Sequence, residues 1–408
     1  MNKSLTIVIA LLIAMTILFL YPPTQLPRAV DTGWTQQGVQ EVVTANNKFA
    51  FELYSELNKA EQGNIFYSPY SIFAAIAMVY EGAKGQTADE IKSVFHFPEN
   101  ILRPNFAKIY NEINKKSKNY QLRIANALWA QKDYPFLEDY ISRVKKYYGG
   151  KAANLDFRET EKSRQIINNF IKEQTNKKIK NSIPKGVLTP DTRLVLTNAI
   201  YFKGKWKLQF DKSKTHEGVF KITPTNIVRT PMMVMDGRFN YAELEDLQIL
   251  ELPYKGEKIS MLILLPRKSL DDIESFLTAE KLNEYKAKMY KAKFDMISIP
   301  KFEFSAAYSM KDVLTAMGMP TAFSEHADFS GMTKKEDLFI SAGIHKAYIK
   351  VDEEGTEAAA ATIFGIQPTG AIKKFRFIAD HPFIFIIQDN ENGNILFMGR
   401  IIDPTKKE

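Results

Sequence analysis

The chain has 408 residues, 45% of them apolar, no cysteine and a formal net charge of +8. That is core material for a large globular body, and it excludes disulfide stapling, thiol catalysis and thiolate metal sites. Length alone would suggest two or three domains, yet no linker, repeat or low-complexity block divides the chain after residue 30, so one domain over residues 31–408 is expected.

The first thirty residues stand apart. Lys3 precedes residues 5–21, which carry no charge, and no A-x-A-like cleavage site follows. The run is slightly long for a signal-peptide apolar region and at the short limit for a membrane span. A secreted or extracellular body is expected, with residues 1–30 a signal peptide or a membrane anchor plus short spacer. If residues 5–21 stay as an anchor, Lys3 favours a cytoplasmic amino end and an outside body.

Along the body, Phe49, Leu53, Tyr54 and Leu57 recur at helical spacing, and residues 64–72 lead into a second, largely buried helix running to Met78. Thr87 with Glu90 reads as a capping box opening a short helix. Leu122, Ile124 and Leu128 mark a strand; Ile166, Ile167, Phe170 and Ile171 mark another amphipathic helix. Residues 194–202 and 259–265 are strand-like, the latter after a Lys255-Gly256-Glu257 turn, and residues 383–388 and 395–401 flank Asn392-Gly393, a hairpin signal. Mixed helices and antiparallel strands predict an α+β fold.

Enzymatic motifs are missing. There is no G-x-S-x-G elbow, Walker loop, dinucleotide glycine fingerprint or H-E-x-x-H. Ser142-Arg143-Val144-Lys145 matches S-x-x-K but lacks the companion motifs, which leaves a serine hydrolase as a remote alternative. The five histidines have no metal-ligand spacing, so no metal and no cofactor are expected. Lysines and arginines cluster at Lys115, Lys116 and Lys118, at Arg143, Lys145 and Lys146, and at Lys177, Lys178 and Lys180. A solvated surface explains such runs more simply than polyanion binding, and no aromatic interleaving points to nucleic acid.

Residues 351–368, VDEEGTEAAAATIFGIQP, are the most informative stretch. Read as a strand, one face carries Thr356, Ala358, Ala360, Thr362, Phe364, Ile366 and Pro368, without charge and with small side chains leading. The other carries Glu357, Ala359, Ala361, Ile363, Gly365 and Gln367. A strand that slides between two others needs one neutral face, whereas composition alone equally allows an Ala-rich helix or a linker.

The stretch DEEGTEAA closely resembles the hinge of the serpins, and residues 381–404, HPFIFIIQDNENGNILFMGRIIDP, resemble that family's carboxy-terminal hairpin. The resemblance spans about residues 45–404. It implies three β-sheets with eight or nine helices, a reactive loop over about 353–374, and suicide inhibition of serine proteases: a covalent acyl complex trapped when the cut loop inserts into the central sheet. The chain would then be no enzyme and a monomer. By the same resemblance the hinge is Glu353, Glu354, Gly355, Thr356, Glu357, Ala358, Ala359, Ala360 and Ala361, its first three residues forming a charged, flexible entry. A polar cluster behind the sheet, the shutter, would comprise Ser68, Ser71, Asn198 and His345. At the top of the sheet, the breach, would stand Trp206 and a Lys301–Glu353 ion pair. Each of these also has an ordinary reading, such as Ser68 a helix cap or the ion pair a surface pair. By the same resemblance, non-inhibitory serpin-fold binding or chaperone proteins usually break the small-residue run with charged or bulky residues, and Ala358–Ala361 shows no such break. Counting from the hinge puts the cut between Thr369 and Gly370; counting back from Pro382 puts it after Ala371. Thr369 suits elastase-like or subtilisin-like enzymes, since trypsin-like ones require Lys or Arg.

Overall fold

The computed structural model describes residues 28–99, 102–115, 117–356 and 375–407. Residues 5–21, Lys116, Glu357, Ala358, Ala359, Ala360, Ala361 and the Thr369–Gly370 bond therefore lie outside the described residues. Within them are nine α-helices: α1 (Gln36–Ala60), α2 (Pro69–Tyr80), α3 (Gly85–Phe95), α4 (Leu102–Ile113), α5 (Glu138–Tyr148), α6 (Thr160–Gln174), α7 (Asp271–Glu274), α8 (Ala279–Ala287) and α9 (Met310–Ala316). None of the described helices is long and apolar enough to cross a membrane.

Helix α1 starts at Thr35, whose Oγ1 accepts from the Gly38 N–H at 3.0 Å, and buries Phe49, Leu53, Tyr54 and Leu57. Helix α2 is apolar all round, and residues 69–79 are all buried, as a helix without a polar face must be. Two expectations fail here. Helix α3 begins at Gly85 and is preceded by Lys84 with no side-chain cap, so Thr87 and Glu90 form no capping box. Tertiary partners have taken both groups: Thr87 Oγ1 accepts from Asp328 N at 2.9 Å, and the Glu90 carboxylate accepts from Thr321 N and Oγ1 at 2.9 and 2.6 Å. In α6, Ile167 and Ile171 are buried as expected, but Ile166 faces solvent and Ser163 is buried on the inner face. Adjacent Ile166 and Ile167 are separated by about 100° of helical rotation, and only one of them can face the sheet.

The strands are β1 (Ile65–Tyr67), β2 (Tyr120–Gln131), β3 (Lys151–Leu155), β4 (Leu194–Lys205), β5 (His216–Lys221), β6 (Ile227–Glu243), β7 (Leu247–Pro253), β8 (Ile259–Pro266), β9 (Tyr290–Pro300), β10 (Phe302–Ser309), β11 (Ile340–Asp352), β12 (Gly355–Thr356), β13 (Phe375–Ile378), β14 (Phe383–Asp389) and β15 (Ile395–Ile401). A nine-stranded network runs β1-β15-β14-β8-β7-β6-β9-β13 with β5 on β6, and a six-stranded sheet runs β10-β11-β12-β4-β2-β3. The three expected sheets count as two networks because the long β6 serves two of them. Its first residues pair with β5 and its last with β7, with Gly237 at φ +149° between. In the β14–β15 hairpin only Gly393 takes a positive φ, and the ladder shifts register at Ile387/Gln388, so the turn spans residues 390–394.

The six-stranded sheet positions the site. Its centre is a parallel ladder of β4 with β11, eight pairs from Leu194–Ile340 to Tyr201–Tyr348. Alternation along β4 sends Leu194, Leu196, Ile200 and Phe202 into the main core and Val195 and Ala199 to the opposite face. That outer face is covered by α6 and by Ile179, Ile183 and Leu188 of the segment after it, which pack with Ala342, Ile344 and Tyr348 along the seam.

Candidate functional site: a sheet seam and its two polar clusters

Polar groups gather at the middle of the seam on its core face. Ser68, Ser71, Asn198 and His345 all meet there, and all are buried. His345 and Asn198 are cross-strand partners on β11 and β4. The imidazole Nδ1–H donates to Asn198 Oδ1, and Nε2 accepts from the Ser68 N–H at 3.1 Å. One neutral tautomer satisfies both partners, so the ring orientation is fixed. Ser68 also caps α2, its Oγ accepting from Ser71 N at 3.2 Å and donating to Leu396 O at 2.6 Å. Helix cap and seam partner are therefore one residue. Asn198 Nδ2 donates to Ser71 O at 2.7 Å and Ser71 Oγ at 2.6 Å.

A further member is not among the residues expected from the sequence. Asn126 on β2 pairs opposite Asn198, accepts from its amide and donates to Ser71 O at 3.2 Å. The signal was present: Asn126 interrupts the apolar file Leu122, Ile124, Leu128, and Asn198 interrupts Leu194, Leu196, Ile200 in the same way. A buried amide in an apolar file requires a partner, and each supplies the other's.

Burial holds the His345 imidazole down to about 3 from its ordinary 6.5. The opened or unfolded chain therefore takes up this proton more readily than the closed one. Stability is full above pH 6.5 and falls below it by about 1.4 kcal/mol per pH unit until the buried ring itself protonates. Urea unfolding between pH 7 and 4 is expected to show this slope, and His345→Gln to flatten it. Parallel profiles for the two proteins would contradict the assignment.

The second cluster lies at the top of the same seam. Beyond Tyr201 and Tyr348 the two strands part, and β12 fills the gap. Gly355 and Thr356 pair antiparallel with Lys205 and Gly204 of β4, and with Asp352 and Val351 of β11. Gly355 has φ +148°, and a Cβ there would come within 2.0 Å of Gly204 O, so only glycine fits. Thr356 Oγ1 lies 2.7 Å from Tyr254 OH. Trp206 stacks on Tyr254 at 4.5 Å, donates from Nε1 to Asp352 O at 3.0 Å, and from its N–H to Glu354 O at 2.9 Å.

The expected charged, flexible entry is instead buried: Glu353 and Glu354 are each 4% exposed. Lys301 meets the Glu353 carboxylate at 2.9 and 3.1 Å, Thr215 Oγ1 donates to it at 2.9 Å, and Lys212 pairs with Glu354. Burial pushes the Glu353 carboxyl up, but hydrogen bonds from Lys301, its own backbone N–H and Thr215 more than offset this and hold it below the ordinary range. The ordinary-surface-pair reading fails because Glu353 is enclosed while Lys301 stays partly wet. Lys212, Thr215 and Tyr254 come from distant loops and had no sequence signal. Glu353→Lys is expected to cost about 2 kcal/mol of native stability by leaving like charges together at a partly buried site. Lys301→Glu in the same chain should restore part of it; an additive double mutant in chemical denaturation would remove the pair from the site.

The enzyme alternative finds no support in the geometry: Ser142 is exposed on α5 and Arg143 is turned to Glu81 at 3.4 Å. Among the described residues no His, Asp and Glu groups are placed to hold a metal.

A family model described as Serpin (serine protease inhibitor) matches residues 44–404. An uncharacterized serpin-like protein of Methanosarcina acetivorans is 42% identical, the alignment covering 90% of this chain and 89% of the relative. The leukocyte elastase inhibitor of Sus scrofa is 38% identical, with 90% and 100% covered. Among solved structures, human thyroxine-binding globulin superposes with a TM-score of 0.83 at 30% identity, covering 90% of this chain and all of that one.

Proposed function

The chain belongs to the serpin family, and from that premise we propose that it is a suicide inhibitor of serine proteases. Serpins are protease inhibitors and not catalytic enzymes, so the chemistry is the target's. The protease serine Oγ attacks the carbonyl carbon of Thr369, the peptide bond to Gly370 breaks, and its nitrogen leaves as a protonated amine. The ester that remains tethers the protease to the loop. Insertion of the loop, driven by strain released when the cut frees it, then carries the ester off before water can hydrolyse it.

The observation that carries this reading is the pairing of β12 on both sides. Its registers with β4 and β11 agree with each other and with the β4–β11 ladder, so a continuing strand has only one alignment. Continued, that alignment puts Glu357 between Lys203 and Lys350, Thr362 between Asn198 and His345, and Ile366 opposite Leu194, where β4 begins. The neutral face Ala358, Ala360, Thr362 and Phe364 then turns to the main core, as Thr356 does now. The strand's single charge faces outward beside two lysines. Insertion exchanges one parallel ladder for two antiparallel ones, a net gain in strand pairing. Gln367, Pro368 and Thr369 are left to leave the sheet's far end, which supports the hinge count for the scissile bond over the count that ends at Ala371.

The rival is a serpin-fold carrier, as thyroxine-binding globulin is by name. The uninterrupted Ala358–Ala361 run and the matching registers favour inhibition, as does the relative named leukocyte elastase inhibitor. Incubation with elastase-like and subtilisin-like proteases is expected to give an SDS-stable band at the summed mass, with Gly370 as the amino terminus of the released fragment. Loop cleavage without that band would favour the carrier. A terminus at Ile372 would support the other count.

A further inference from the structure

The residues before α1 form a strap along α4 and the end of α5. Asn111 holds Ala29 by both backbone groups, accepting from its N–H at 2.9 Å and donating to its carbonyl at 2.8 Å. Val30 N donates to Lys146 O at 2.7 Å, and Thr35 N to Asn105 Oδ1 at 2.8 Å. These bonds fix where the chain enters the body and in which direction. They also leave two apolar side chains outside: Val30 is 41% exposed and Trp34 42% exposed. Lys108 lies over the Trp34 ring at 4.7 Å. Arg28, Lys145 and Lys146 are exposed beside the strap. Asp31, beside Arg28 at 3.8 Å, and Glu112, paired with Lys108, offset part of this charge, and the surface remains net positive.

An exposed indole and valine set among cations match the interfacial zone of an anionic bilayer, where amphipathic rings sit at headgroup level and lysines reach phosphate. The chain's length supplies the partner. Six residues, Pro22 to Pro27, separate the uncharged run ending at Tyr21 from Arg28. Extended, the seven steps from Tyr21 to Arg28 span at most about 25 Å. If the run enters a membrane, the strap cannot stand far from it.

We infer that the face around Trp34 docks on an anionic lipid surface into which residues 5–21 insert. This rests on the anchored reading of residues 5–21 and is independent of the inhibitory reading. The end of α5 lies well down the sheet from the point where the chain leaves it after Thr356. Lys151, which follows α5, pairs with Ala127, seven residues along β2 from Tyr120 at the top of the sheet. That is about 23 Å from the level at which the loop departs.

The three tryptophans make the test selective, because Trp129 and Trp206 are 1% and 2% exposed and only Trp34 is open to a quencher. The full-length protein is reconstituted into vesicles of phosphatidylcholine and phosphatidylglycerol, with and without brominated acyl chains. Indole emission is expected to shift to the blue and to be quenched by the brominated lipid, and Trp34→Phe to abolish the quenching. Neutralising Lys145→Gln or Lys146→Gln is expected to lower the docked-to-undocked ratio about fivefold each. A protein that floats with vesicles but shows no quenching overturns the docking and spares the anchor. A protein that does not float overturns both. A blue shift on adding heparin, with none on lipid, would assign the face to a soluble polyanion and overturn the inference. The SDS-stable complex, measured on the same preparation, reports separately on inhibition.

Discussion

His345→Ala is expected to lower the stability of the native protein by about 3–5 kcal/mol and to convert it, on mild warming, into ladders on native gels. Three losses add up. The ring's removal leaves the Ser68 N–H and Asn198 Oδ1 without partners in a buried site. It opens a cavity beside Tyr308, which stacks on the ring at 6.4 Å with an interplanar angle of 7°. It also cuts the side-chain tie joining β11, β4 and the start of α2 across the seam. Orphaned buried groups cost about 1–3 kcal/mol each, and truncating a large buried side chain about 3 or more, with partial relaxation keeping the sum below the total. For a chain of this size that is a fall in Tm of about 5 °C. The ladder follows from the seam: once loosened, β4 and β11 can accept the loop of another copy, because strand addition needs only main-chain pairing. Calorimetry and native electrophoresis check this. An unchanged Tm with a single native band would remove His345 from the closure of the sheet.

On the proposed inhibitory function, Thr362→Arg is expected to give a protein that is cut as a substrate, lowering the yield of SDS-stable complex roughly a hundredfold. The proposed insertion register would place residue 362 between Asn198 and His345. That site is fully enclosed and holds no carboxylate: its polar members are Ser68, Ser71, Asn126, Asn198 and His345. A guanidinium there would be buried without a counter-charge beside a ring that burial already keeps neutral. A penalty of about 3 kcal/mol on insertion shifts the competition with hydrolysis of the ester by about two orders of magnitude. Loop cleavage by a non-target protease should no longer raise Tm in this variant. Tm of the uncut protein should be unchanged, since β4 and β11 pair directly with each other at Asn198 and His345, and this separates a blocked insertion from a damaged fold. Normal yields of stable complex would overturn the proposed register.

The site residues came from the serpin resemblance, while residue types in periodic positions mark only its misfits. Asn198 and His345 are polar groups where apolar ones are due, and such groups announce a partner without naming it. The partner is often another misfit: Asn126 sits in β2 as Asn198 sits in β4, and only the antiparallel register brings them face to face. The hinge departs from expectation for a related reason. Two glutamates and a glycine look solvated when taken locally, yet Lys301, Lys212 and Thr215 arrive from segments 52 to 142 residues away in sequence and enclose them. The capping box at Thr87 and Glu90 failed likewise, both groups having been claimed by residues 321–328.

The apolar files of β2 and β4 and the helical spacing of Phe49, Leu53, Tyr54 and Leu57 are local patterns, and they sufficed for the α+β class. Backbone geometry ties side-chain direction to sequence spacing, so one-dimensional order carries that information. Where the sheet parts, and that Gly355 and Thr356 fill the gap between β4 and β11, were decided by tertiary structure alone. Strand pairing joins residues far apart in the chain, here Thr356 with Gly204 and Val351, and no local preference encodes the choice of partner.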